Sequence, residues 1–146
     1  MYARSDQNDL KGSIPEELGF LTTITNIDFD ENELQGTIPD SMQSLTNLQN
    51  LFATQNRITG KFPSWIDQWS SLRNINVAYN LFTGSLPNTI GNLVELEGLA
   101  LDNNLLTGTM EDAFDTTVVP GLRKLEQFYT GWLPNSKNVL LSFGPH

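Results

Sequence analysis

The chain has no cysteine and a single histidine, His146, at its last position. Disulfide scaffolds, zinc fingers, thiol nucleophiles and cluster ligation are thereby excluded. Neither a Ser/His/Asp triad nor a multi-histidine metal site can be assembled within one chain. Positive charge is scarce: 8 Lys and Arg stand against 17 Asp and Glu, a formal net charge of −9. A grip on phosphates rests on clustered Lys and Arg, so nucleic acid and anionic membrane surfaces are disfavoured partners. No apolar run approaches the ~20 residues of a membrane helix, so no direct membrane insertion by this segment is expected. GxGxxG and GxxxxGK[ST] phosphate loops are missing, as are NxS and NxT sequons, NTI at Asn88 being the nearest miss. The opening MYARSDQNDLKG holds no apolar stretch of the kind a secretory signal needs.

What is present is enough apolar material for a folded core, 38% hydrophobic and 10% aromatic over 146 residues, arranged in register. Asn8, Asn32, Asn56, Asn80 and Asn104 recur every 24 residues, and Gly12, Gly36, Gly60, Gly84 and Gly108 keep step with them. Ile14, Ile38, Phe62, Leu86 and Met110 form another column; Pro15, Pro39, Pro63 and Pro87 form a fourth that fails at Glu111. Further apolar columns hold Leu10, Leu34, Ile58, Phe82 and Leu106, and Leu21, Leu45, Trp69 and Leu93. A fixed period of this length marks a solenoid, in which each repeat buries its apolar face only by stacking on its neighbours.

The chemistry of one unit explains its shape. Apolar residues two apart, such as Ile27 and Phe29, Leu51 and Ala53, Ile75 and Val77, or Leu99 and Leu101, point to one face of a short strand. Stacked units then make a parallel sheet with its apolar side inward. The recurring asparagine closes each strand, where its amide both donates to and accepts from backbone groups left unpaired at the corner. Asn32, Asn56, Asn80 and Asn104 are therefore expected to form a buried structural ladder. Glycine suits the bend that follows, and proline pre-sets an extended segment on the convex side.

The consensus LxxLxLxxNxLxGxIPxxLxxLxx, clearest in LEGLALDNNLLTG, resembles the plant-type leucine-rich repeat. The resemblance implies an α/β repeat solenoid: a right-handed coil of about six repeats, with a parallel sheet on the concave face and 3-10 or extended segments on the convex face. It implies no enzyme and no cofactor, and it implies a non-catalytic module that binds a protein or peptide, as in receptor-like proteins and receptor kinases. By the same resemblance an alternative is a soluble inhibitor like the polygalacturonase-inhibiting proteins, and location would be extracellular or at the cell surface, within a larger membrane protein.

The pattern is regular over residues 8–110 and irregular over 111–146, so one domain spanning 1–146 is expected, as part of a longer protein. The first strand offers only Ala3 and Ser5 as inward residues, and nothing caps that end; open apolar ends predict self-association as a third role. Leu122 stands 26 residues after Leu96, which places Leu125 where the preceding unit has Leu99. YTGWLPNS then echoes FTGSLPNT.

Recognition is expected on the strand faces that point away from the core. These carry Asn26, Asp28 and Asp30, then Asn50 and Phe52, then Asn74, Asn76, Ala78 and Tyr79, then Asp102. Asn26, Asn50 and Asn74 make a polar row, and Phe52 and Tyr79 supply the aromatic groups that often anchor interfaces. Asp28, Asp30 and Glu31 raise the question of a calcium or acid/base site, but calcium takes about 6–8 oxygens, and the cluster is read as a solvated face. Residues 1–40 hold nine acids and two bases, which favours a basic partner. Of the tryptophans, Trp69 is expected in the core and Trp65 exposed on the convex side; Trp132 takes the place of Thr37, Lys61 and Ser85.

Overall fold

A computed structural model describes residues 2–4, 9–108 and 127–129. Within it each unit runs strand, corner, second strand, then a 3-10 turn back to the next coil. The concave sheet has six parallel strands: β1 (Tyr2–Arg4), β3 (Asn26–Asp28), β5 (Asn50–Phe52), β7 (Asn74–Asn76), β9 (Gly98–Ala100) and β11 (Gln127–Tyr129). The middle residues Ile27, Leu51, Ile75 and Leu99 of β3, β5, β7 and β9 are buried and in register, while the flanking residues of these four strands are half-buried. That is the period-two pattern expected of a strand with one wet face.

The outer flank carries a second parallel sheet: β2 (Lys11–Ser13), β4 (Glu33–Gly36), β6 (Arg57–Lys61), β8 (Leu81–Gly84) and β10 (Leu105–Leu106). The sequence predicted only extended chain here. The extended segments lie side by side at the coil spacing, so their N–H and C=O groups pair with each other instead of with water. Gly12, Gly36, Gly60, Gly84 and Gly108 all have positive φ, between 73 and 92°, which is why this column tolerates no side chain cheaply. Glu33 lies between Lys11 and Arg57 across this sheet, at 3.5 and 3.2 Å.

On the convex side Pro15, Pro39 and Pro87 stand immediately before the 3-10 segments Glu16–Phe20, Asp40–Ser44 and Asn88–Asn92, with φ of −71, −65 and −70°. The shorter Ile66–Gln68 begins three residues after Pro63, whose carbonyl accepts the Ile66 N–H. The core runs the length of the solenoid as one cluster from Ile14 to Leu106. Its largest side chain, Trp69, is fully buried as expected, and its indole N–H donates to the Met42 carbonyl at 2.7 Å.

Four expectations are corrected. Leu10 and Leu21 belong to core columns yet remain 39% and 37% exposed. They sit on the first described full coil, at column positions less covered there than Ile14, Leu18 and Ile24 of the same coil, which are buried. Trp65 is half-buried rather than exposed, because its indole N–H reaches the Asp40 carboxylate one coil back at 2.8 Å and its ring meets Trp69 edge-on. Ala78, expected on the concave surface, is buried. At the C-terminal end Phe128, not Leu125, pairs with Leu99, and Tyr129 lies opposite Ala100, so its place beside Phe82 in the sequence echo is not structural. Ser5, Asn8, Leu122, Leu125, Trp132 and the remainder of 109–126 and 130–146 lie outside the described residues.

Candidate functional site

Two sets of asparagines organise the concave side. The first turns the corner of each coil. Asn80, 4% exposed, accepts the Ile58 N–H at 2.9 Å and donates to the carbonyls of Ala53, Val77 and Ala78 at 2.7–3.2 Å. Asn56 does the same with the Leu34 N–H and the carbonyls of Phe29, Ala53 and Thr54. Asn32 accepts from Leu10 and Asn104 accepts from Phe82 at the equivalent places. These side-chain-to-backbone bonds repeat from coil to coil, and Asn104 is less deeply covered than the other three.

The second set lies on the surface. Asn26, Asn50 and Asn74 are brought into register, Asn26 opposite Asn50 and Asn50 opposite Asn74. Their amides bond head to tail: Asn74 Nδ2 donates to Asn50 Oδ1 at 2.9 Å, and Asn50 Nδ2 to Asn26 Oδ1 at 2.5 Å. Asn26 Nδ2 in turn donates to the Thr25 hydroxyl. A neighbouring row places Asp28 opposite Phe52, Phe52 opposite Asn76, and Asn76 opposite Ala100. Asp28 and Asn76 each accept the N–H two residues on in their own chain, from Asp30 and Ala78, which fixes their side chains against the bend.

Asp30 bonds across coils rather than to a ligand group: the Thr54 N–H donates to its carboxylate at 2.6 Å. Burial raises the Asp30 pKa above the ordinary carboxylate value; the Thr54 N–H and hydroxyl work against this, and the charges of Asp28 and Glu31 add to it. Asp102 stands apart in the fifth strand's coil, next to Asn103, whose amide donates to it at 2.8 Å. Among the described residues no group of three His, Cys, Asp or Glu could hold a metal ion, and no helix is long and apolar enough to cross a membrane.

Tyr79 sits where the concave sheet ends: its N–H still joins the backbone ladder by donating to the Asp102 carbonyl, but its φ is +55° and its side chain is 53% exposed. Glu31, Gln55 and Asn103 share this left-handed backbone in their coils. Asparagine enters that region readily, whereas an aromatic residue there is costly. The outer flank exposes Leu81 and Leu105, both directly after a ladder asparagine, where the preceding coils have Glu33 and Arg57. The sequence signal for these two was the change from charge to leucine at that column.

A Leucine Rich Repeat family model matches residues 47–69 and 71–93. No curated protein matches by sequence. Among solved structures, the plant peptide hormone receptor RGFR1 in complex with RGF2 superposes at a TM-score of 0.83 and 26% identity, covering 93% of this chain and 20% of that one. The ectodomain of the Arabidopsis thaliana membrane receptor kinase GASSHO1/SCHENGEN3, in complex with Casparian strip integrity factor 2, gives 0.74 at 34% identity, over 77% of this chain and 13% of that one. The Arabidopsis receptor kinase HAESA, in complex with the peptide hormone IDA and the co-receptor SERK1, gives 0.81 at 27%, over 88% and 21%. This chain thus spans about a fifth or less of each receptor.

Proposed function

We propose that this leucine-rich-repeat solenoid of the plant type, a non-catalytic module, binds a peptide or protein partner on its concave sheet as one segment of a longer receptor-like protein. The observation that carries the reading is Tyr79: an exposed aromatic side chain held in a left-handed backbone conformation that the fold does not require of a tyrosine. Strain kept at a surface position is accounted for by what the side chain does there. Phe52, half-buried between Asp28 and Asn76, gives the sheet a second aromatic group about one coil away. The neighbours in complex with peptide hormones support a partner of that class. The acids of the first coils, Asp28, Asp30 and Glu31 among them, favour a basic segment at that end.

The test is selection of displayed random peptides on the protein, followed by the double variant Phe52→Ala with Tyr79→Ala. Selected peptides are expected to lose binding at least about tenfold while the melting transition stays in place. Equal binding by the double variant rejects the concave face as the recognition surface.

One observation favours a second reading, association through the N-terminal coil: Phe20 is 77% exposed there, with Leu10 and Leu21 also exposed. Mass that rises with concentration, and falls back in Phe20→Ser, is its signature; concentration-independent mass removes it.

A further inference from the structure

The surface row of asparagines does not close on itself. Each amide in it gives an N–H to the oxygen of the one before, so the row has a direction, and it runs out at Asn74. Among the described residues nothing donates to Asn74 Oδ1. The next strand has Gly98 at that register, opposite Asn74, and no side chain stands there to continue the row. The glycine is what lets the amide lie as it does: a Cβ on Gly98 would come within 2.6 Å of Asn74 Oδ1. The backbone of Gly98 does not itself demand glycine, since its φ lies outside the left-handed region, unlike Gly84 or Gly60. A hydrogen-bond chain polarises its members, and an amide that donates an N–H becomes the better acceptor at its oxygen. The concave face therefore presents one strengthened, unengaged acceptor at a place kept free of side chain.

Resting on the concave-face reading above, we propose that a peptide partner crosses the sheet at Gly98 and gives an amide N–H to Asn74 Oδ1, becoming the next member of the asparagine row. The donor chemistry is an amide N–H, which a peptide carries in its backbone and in Asn or Gln side chains. Tyr79 lies three residues past β7 (Asn74–Asn76), the strand that carries Asn74, and Ala100 two residues beyond Gly98 on β9.

The experiment uses peptides selected from a displayed random library on the 146-residue protein. Their binding is then measured to Gly98→Ala, Asn74→Leu and Asn74→Asp. Gly98→Ala turns the Asn74 amide away and Asn74→Leu removes the oxygen; each is expected to weaken binding by about three- to tenfold. Asn74→Asp keeps an acceptor in place and is expected to bind as tightly as the wild type or more so. Gly98→Ala also replaces a strand glycine, so its melting temperature is expected to be unchanged or higher, which separates lost presentation from lost fold. Replacement of each Asn or Gln of the peptide by Leu, alongside N-methylation of each backbone amide, identifies which donor is used.

Selected peptides that bind Gly98→Ala and Asn74→Leu as well as the wild type overturn this inference while leaving peptide recognition on the concave sheet standing. A library that yields no binder, or binders untouched by Phe52→Ala with Tyr79→Ala, overturns both.

Discussion

Two rows of asparagine run across the same coils with the same 24-residue spacing, and they do opposite work. Asn32, Asn56 and Asn80 are buried, and the amides of Asn56 and Asn80 each saturate one N–H and three carbonyls of the corner. Asn26, Asn50 and Asn74 are half-buried and bond mainly to each other, leaving an open oxygen at one end. Spacing alone cannot tell a structural amide from a recognising one. The difference lies in what each amide would leave behind: removal from the corner strands backbone groups away from water, removal from the surface strands almost none.

The sharpest way to break this comparison is at Asn80. Asn80→Ala is expected to cost about 2 kcal/mol in urea unfolding, because the buried Ile58 N–H loses its acceptor and the carbonyls of Ala53, Val77 and Ala78 each lose one of two donors. Asn80→Asp is expected to be worse, since a carboxylate would face three carbonyls it cannot donate to. A loss under about 0.5 kcal/mol for either would dissolve the structural half of the distinction.

Next in size is Tyr79→Gly. Glycine adopts the left-handed region freely, so the variant is expected to gain roughly 1 kcal/mol while binding fewer of the selected peptides. Stability and binding moving together would mean that the tyrosine serves the fold.

Asn50→Ala comes third. It breaks the surface row in the middle, and its expected cost is less than about 1 kcal/mol, read from the same unfolding curves. A loss as large as that of Asn80→Ala would make the two rows equivalent.

The smallest effect is at Asp30. Its pKa is raised by burial, so the folded state holds the proton more readily than the unfolded chain. The penalty for keeping the charged form is present above the folded pKa and vanishes below the ordinary carboxylate range. Asp30→Asn keeps an acceptor for the Thr54 N–H without the charge. It is therefore expected to be slightly more stable than the wild type at neutral pH, and the advantage is expected to disappear as pH falls below about 4. An advantage that grows on acidification would reverse the assigned cause.

Much of this was legible in the sequence because side-chain columns encode it. The 24-residue period gave the coil, the alternation around Ile27, Leu51 and Ile75 gave the inward face, and Asn56 and Asn80 gave the ladder. The second sheet was not legible, because its pairing is made by backbone groups around Gly36 and Gly60, and a backbone pair leaves no apolar column. Trp65 was misplaced because its partner Asp40 lies 25 residues away, one off the period. The strained backbone of Tyr79 was hidden, since Glu31, Gln55 and Asn103 share its geometry and have no composition in common. The pairing of Phe128 with Leu99 escaped because the irregular segment before it breaks the count by more than the two residues that Leu122 suggested.

The most direct measurement follows the side-chain amide resonances of the protein as a selected peptide is titrated in. The amides of Asn50 and Asn74 are expected to shift with the peptide while those of Asn56 and Asn80 hold still. Shifts confined to the outer sheet, Glu33–Gly36 and Arg57–Lys61, or to the Trp65 indole would contradict it.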